Sequence, residues 1–167
     1  MRIFNASPLI LLLEEIDEPD IIEELFNLDQ KLFIPERVIN EITSKKAKKN
    51  LESLINKGKI NPCKNGNDET LSFMKNRFPM LDDGELTVIS AAYEYKAKNC
   101  FVIIDEYLGR EVSKKLGLNL KGVFGILLEL YESKKITKER LIKTCRKIDK
   151  SNFRINFKEI GYEWVIK

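Results

Sequence analysis

Two acidic stretches carry most of the chemistry that this 167-residue sequence offers. One is the turn Asp82-Asp83-Gly84-Glu85; the other is Asp105-Glu106, which halts the apolar run Phe101-Val102-Ile103-Ile104. A buried strand that ends in a carboxylate puts an acid where open parallel sheets bind ligands, just beyond the carboxyl ends of their strands. Asn5 follows the apolar Ile3-Phe4, and Glu41 flanks the face formed by Val38, Ile39 and Ile42, so both add oxygen donors near such ends. Two carboxylates ~4 Å apart repel by roughly 4 kcal/mol at an effective dielectric of about 20, so gathered acids call for cations. Oxygen ligands without His or Cys select Mg²⁺ or Mn²⁺, and such ions activate water and hold a phosphate for in-line attack.

Composition narrows the alternatives. Histidine is absent, which excludes a Ser-His-Asp triad, a Cys-His pair and an H-E-x-x-H zinc site. Cys63, Cys100 and Cys145 are odd in number and widely spaced, which argues against a disulfide framework or a thiolate metal cage. Neither G-x-x-x-x-G-K-S/T nor G-x-G-x-x-G occurs, so ATPase and dinucleotide-binding roles lack their phosphate cradles. Aspartyl-phosphate chemistry fits poorly, because Asn5 cannot be the nucleophile after the first strand. No apolar run is long enough to span a membrane and the first residues lack a secretory signal, so a cytoplasmic protein without membrane contact is expected. The net charge of +3 hides an asymmetry: acids predominate from Glu14 to Glu36 and bases from Lys114 to Lys158. A basic half suits a polyanion, or simply solubility.

Short strands alternate with helices along the chain. Arg2-Ile3-Phe4, Leu32-Phe33-Ile34, Ile60 to Cys63, Phe101 to Ile104 and Leu118 to Lys121 read as strands. Ser7-Pro8 reads as a helix start with Ser7 as its cap, leading into the buried run Leu9 to Leu13 that Pro19 ends. Asp20 and Glu23 have capping-box spacing for a second helix. A helix follows Pro35, another carries Leu51, Leu54 and Ile55 to Gly58, and a third starts at Asp68. The helix after the acidic turn is apolar around most of its circumference, as in a helix packed between layers. Beyond Gly117 and Gly122 lie a helix from Val123 to Tyr131 and a two-faced one from Thr137 to Lys150. In the latter Leu141, Cys145 and Ile148 share one side, and Arg140, Lys143, Lys147 and Lys150 share another. The aromatic tail, Phe153, Phe157, Tyr162 and Trp164, suggests docking without fixing a conformation.

This alternation predicts a single α/β domain over residues 1–167, with a short, mainly parallel central sheet covered on both faces. Right-handed connections then gather strand ends and helix starts on one edge. Asn5, Glu41, Glu85 and Asp105 meet there. Each also has a plainer role open to it: Asp82 and Glu85 as a capping box, Glu41 as a solvated helix residue, Asp105 in a turn, Asn5 and Ser7 as turn and cap.

Taken in order, Asn5-x-Ser7, Glu41 within IPERVINEI, Glu85 within LDDGELTVISAA and Asp105 within FVIIDEYLGR resemble the PIN domain family. The stretches NASPLI, DDGE, IIDE-x-x-x-R and LNLKGVFGILL are especially similar to a prokaryotic subgroup of it. The similarity runs to about Leu130, leaving 131–167 as a C-terminal helical extension. It implies a three-layer α/β/α PIN-like domain. Members of that family are mostly metal-dependent ribonucleases and include the toxins of many toxin–antitoxin pairs. By resemblance, Asn5, Glu41, Glu85 and Asp105 hold Mg²⁺ or Mn²⁺, and Glu41, Glu85 and Asp105 are catalytic. Ser7 orders the first turn, Arg110 braces the acids or meets a phosphate, and Asp83 and Glu106 are supporting acids. Most of the family has Asp where this chain has Asn5, whose carbonyl oxygen binds a metal without charge.

Two functions follow as expectations. The first is a Mg²⁺- or Mn²⁺-dependent endoribonuclease, including the case of a toxin silenced by an antitoxin protein, with Arg140, Lys143, Lys147 and Lys150 guiding RNA. The alternative is a catalytically weakened PIN-like module that binds RNA or a protein partner. A homodimer is expected from the resemblance alone.

Overall fold

A computed structural model of the chain describes residues 1–29, 31–96, 99–153 and 155–166. Ala97 and Lys98 before the central strand, and Arg154 and Lys167 of the aromatic tail, lie outside the described residues, as does Gln30. Five strands form one parallel sheet: β1 (Arg2–Phe4), β2 (Leu32–Pro35), β3 (Asn61–Cys63), β4 (Phe101–Ile103) and β5 (Asn119–Lys121). Their order is β3-β2-β1-β4-β5. From β1 the chain steps outward to β2 and β3, then returns to lay β4 on the other side of β1. The winding therefore reverses between β1 and β4, where open α/β sheets leave a crevice for ligands. Register is fixed there by Ile3 opposite Val102 and Phe4 opposite Ile103, all fully buried. The Asn5 N–H extends the pairing by donating to the Ile103 carbonyl at 2.9 Å.

Helices cover both faces, giving the three-layer α/β/α arrangement that the alternation predicts. On one side α1 (Ala6–Ile10), α2 (Asp20–Leu28), α4 (Lys45–Asn56), α8 (Val123–Glu132) and α9 (Lys138–Lys150) pack together; on the other, α6 (Asp83–Glu94) lies between α5 (Asp68–Arg77) and α7 (Tyr107–Lys115). The short α3 (Glu36–Glu41) leans on α6. Gly84 through Ala92 are all buried, so α6 is the interlayer helix that its apolar circumference predicts.

Local starts differ from the sequence expectation at two places. Helix α1 begins at Ala6 with Asn5 as its flanking residue, so Ser7 is its second residue rather than its cap. Pro8 is still accommodated, because N–H groups in the first turn have no intrahelical acceptor to lose. Asp20 and Glu23 form no capping box: Pro19 precedes α2 without a side-chain cap, and Asp20 instead accepts from Arg140 at 2.7 Å. The buried run after α1 widens into a π-helical turn over Leu11–Glu15, ending at Ile16, before Pro19. Its freed carbonyls are met from other helices. Asn50 donates to Leu13 O at 2.8 Å, Lys46 to Glu14 O at 3.2 Å and Lys147 to Ile16 O at 3.1 Å, the two lysines placing cations where a helix end favours them.

The tail docks on α8. Phe157 and Tyr162 meet Phe124 edge-on, with ring centroids 5.1 and 5.0 Å away. Burying Phe157 stabilises this docking by roughly 3 kcal/mol.

Candidate active site

At the carboxyl edge, Asp82, Glu85 and Asp105 are held by backbone. Asp82 begins α6 with a reciprocal capping box: Glu85 N–H donates to Asp82 Oδ1 at 2.7 Å, and Asp82 N–H to Glu85 Oε2 at 3.1 Å. The other oxygen of Glu85, Oε1, accepts from Gly109 N–H of α7 at 3.1 Å. Capping and site placement are thus one feature. The box that starts the helix also aims a side chain only 4% exposed. Asp105, two residues past β4, accepts from Val123 N–H, the first residue of α8, at 3.1 and 3.3 Å. Arg110, one turn into α7, donates to the Ile104 carbonyl at 3.0 Å, and its charge is felt by Asp105.

Three glycines make room for three acids. A Cβ at Gly84 would fall on the Glu41 carboxylate, one at Gly122 on that of Asp105, and one at Gly109 on Ile104 and, at 2.8 Å, on Glu85 Oε1. Gly109 and Gly122 went unrecognised in the sequence as site residues. Their signal was proximity to the acids in DEYLGR and KGV, but nothing local says which carboxylate approaches which glycine.

The acids raise one another's pKa. Burial pushes the Asp105 carboxyl up to about 6, with Glu106 adding to the rise while Val123 N–H and Arg110 oppose it. Glu85 is raised by burial and by the charges of Asp82 and Glu106, against the N–H groups of Asp82 and Gly109. Glu41 is raised by burial, Asp82, Asp83 and Glu106, with Arg37 opposing. Glu106 thus acts on Glu41, Glu85 and Asp105 alike, and it accepts from Asn5 Nδ2 at 3.2 Å. The thiols are unreactive by contrast: burial raises Cys63 and Cys100 to about 11 and Cys145 to about 12.

Asn5, Glu41, Glu85, Asp105 and Glu106 therefore share one neighbourhood. Asp83 turns to the surface, 3.8 Å from Arg37 and 3.7 Å from Lys75. The basic residues of α9 divide. Arg140 and Lys147 pair with the buried Glu18 at 2.7 and 2.6 Å, and Thr144 donates to the same carboxylate at 2.8 Å. Lys143 and Lys150 stay exposed and, with Arg146 and the half-exposed Lys147, line a groove of about 530 Å³ on the outer face of α9. Beside the acids is a second cavity of about 420 Å³, bounded by Asp105, Arg110 and Gly122 and, from the tail, by Phe153, Ile155 and Ile160.

For a cation, the donor set is entirely oxygen, which fits Mg²⁺ or Mn²⁺. Asn5 is 3% exposed and its carbonyl Oδ1 is buried without a hydrogen-bond partner, a costly state that a cation would relieve. Among the described residues, no three acids, cysteines or histidines stand close enough to grip one ion as they are.

The chain is thus a parallel α/β/α domain with carboxylates gathered at the switch point of its sheet. A family model described as a PIN domain (DUF3368) matches residues 1–162, and the chain belongs to that family. The match continues through α9 into the docked tail. No curated protein is significantly similar to the chain. PIN domains are generally nucleases, and typically use divalent metals.

Proposed function

We propose that the chain is a Mg²⁺- or Mn²⁺-dependent endoribonuclease. The gathering of Asn5, Glu41, Glu85, Asp105 and Glu106 at the β1/β4 switch point carries this reading. When bound, the cation supplies positive charge that acidifies water and offsets the charge of a phosphodiester. Glu85 and Asp105, oriented by the Gly109 and Val123 N–H groups, would serve as ligands. Glu41 closes from α3, seated against Gly84. Arg110 borders the cavity beside Asp105, and its unengaged guanidinium donors orient a phosphate there. Lys143, Arg146 and Lys150 on the outer face of α9 draw RNA to the protein by charge.

The test is cleavage of a mixed-sequence single-stranded RNA with Mn²⁺, with Mg²⁺ and with chelator. Metal-dependent cutting that Asp105→Asn abolishes supports the proposal; full activity in that variant removes it. A second reading, a non-cleaving module that binds RNA or protein, is favoured by the neutral Asn5 and by the backbone bonds already made by Glu85 and Asp105. RNA binding that is salt-sensitive yet indifferent to metal, with no cleavage, selects it. Inhibition by a small antitoxin protein and pairing as a homodimer extend the first reading; co-expression with the neighbouring gene product and sedimentation test them.

A further inference from the structure

Resting on the metal-site reading above, we propose that Glu106 is the carboxylate that completes the cation site in place of an acid on β1. Asn5 steers it and adds its own carbonyl oxygen as a neutral ligand.

The contact between the two side chains fixes their orientation. A carboxylate only accepts hydrogen bonds, so an amide beside it must present its nitrogen. Asn5 Nδ2 does so, 3.2 Å from Glu106 Oε2. The same orientation turns Oδ1 away from Glu106, and that oxygen is buried with no partner. An Asn 3% exposed with an orphaned acceptor is unfavourable by itself; a cation at Oδ1 resolves it. Glu106 flanks α7 at its N-terminus yet makes no side-chain cap bond there, so the helix does not explain its direction. Glu106 follows Asp105 directly in the chain, at the β4 side of the crevice that Asn5 borders from β1. An Asp at position 5 could not donate to Glu106. It would set two carboxylates at hydrogen-bond distance, repelling each other until a cation arrived. Asn5 and Glu106 therefore form a matched pair, the charge moved from the β1 end to the β4 end of the crevice.

Mn²⁺ titration by calorimetry, with melting curves in chelator, tests this on the full chain. Glu106→Gln keeps an acceptor for Asn5 and removes only charge, so it should fold normally and weaken Mn²⁺ binding by about tenfold or more. Glu111→Gln removes the same charge further along α7 and should leave binding within about twofold. Asn5→Asp should melt below the natural protein in chelator and be raised further by Mn²⁺ than the natural protein is. Equal Mn²⁺ affinity in Glu106→Gln and the natural protein overturns the assignment while leaving the nuclease reading intact. So does an Asn5→Asp protein that melts at or above the natural one without metal. If the natural protein itself binds no Mn²⁺, the metal-dependent reading falls, and this assignment with it.

Discussion

Strand β1 is three residues long, and its two ends treat charge in opposite ways. At the first, Arg2 is 4% exposed and lies 3.1 Å from Asp29 and 2.7 Å from Glu129. Lys121 joins Glu129 from β5 at 2.7 Å. Hydrogen bonding from Arg2 leads in drawing the Glu129 carboxyl down to about 2. At the second end, Asn5 faces Glu106, and Glu85, Asp105 and Glu41 stand around them, with Arg110 near Asp105 and Arg37 near Glu41. There the Asp105 carboxyl rises to about 6. Balanced charge fastens the fold, whereas charge left without its counter-ion is a cost that a ligand can remove. Glu18, buried beneath Arg140, Lys147 and Thr144, belongs with the first kind.

The largest effect should come from unbalancing the fastened end. Arg2→Ala leaves Asp29 to the Met1 ammonium alone and Glu129 to Lys121 alone, and is expected to destabilise by about 3 kcal/mol in denaturant titration. Asp105→Asn should act in the opposite direction: in chelator at neutral pH it stabilises by about 1 kcal/mol while abolishing RNA cleavage. An equal loss of stability in both variants would erase the distinction between the ends.

Acid titration should separate the ends within the natural protein. Glu129 has its folded pKa below the ordinary 4.5, so its contribution is complete above that value and is lost as pH falls toward 2. Asp105 is raised from 3.8 to about 6, so stability is gained as pH drops through 6 toward 3.8. Metal-free protein is expected to melt highest near about pH 5, with saturating Mn²⁺ shifting that optimum upward. A melting temperature that only rises with pH across this range would contradict it.

The smallest effects concern α9. Removing Lys143 and Lys150 together should weaken RNA binding a few-fold and lower its salt slope by about 1 per residue. Arg140→Ala should instead lower stability, since it uncovers Glu18. Identical RNA-binding losses in Arg140→Ala and the double variant would mean that the inward pairing does not hold Arg140 back.

Much of this was legible in the residues. Two apolar runs ending at Asn5 and at Asp105 marked β1 and β4, and Asp82-x-x-Glu85 marked both a cap and a carboxylate, because strand burial and helix starts follow local pattern. The Ser7 cap and the Asp20 box misled for a complementary reason. Helix α1 starts two residues earlier than a Ser7 cap would set it, flanked by Asn5 with no side-chain cap, and Asp20 is engaged by Arg140 instead. The basic stripe of α9 shares one face, as its spacing predicts, but spacing does not reveal that Arg140 and Lys147 also pair with the buried Glu18.

The sequence by itself determined the alternation of short strands and helices, the oxygen-only chemistry of a chain without histidine, and the order of acids along it. These depend on residue type and spacing. Only the tertiary structure decided that β4 returns to the side of β1, that Gly84, Gly109 and Gly122 leave room for Glu41, Glu85 and Asp105, and that the Asn5 amide meets Glu106 across 101 positions of chain. Those contacts arise from packing between distant segments, and no local spacing encodes them.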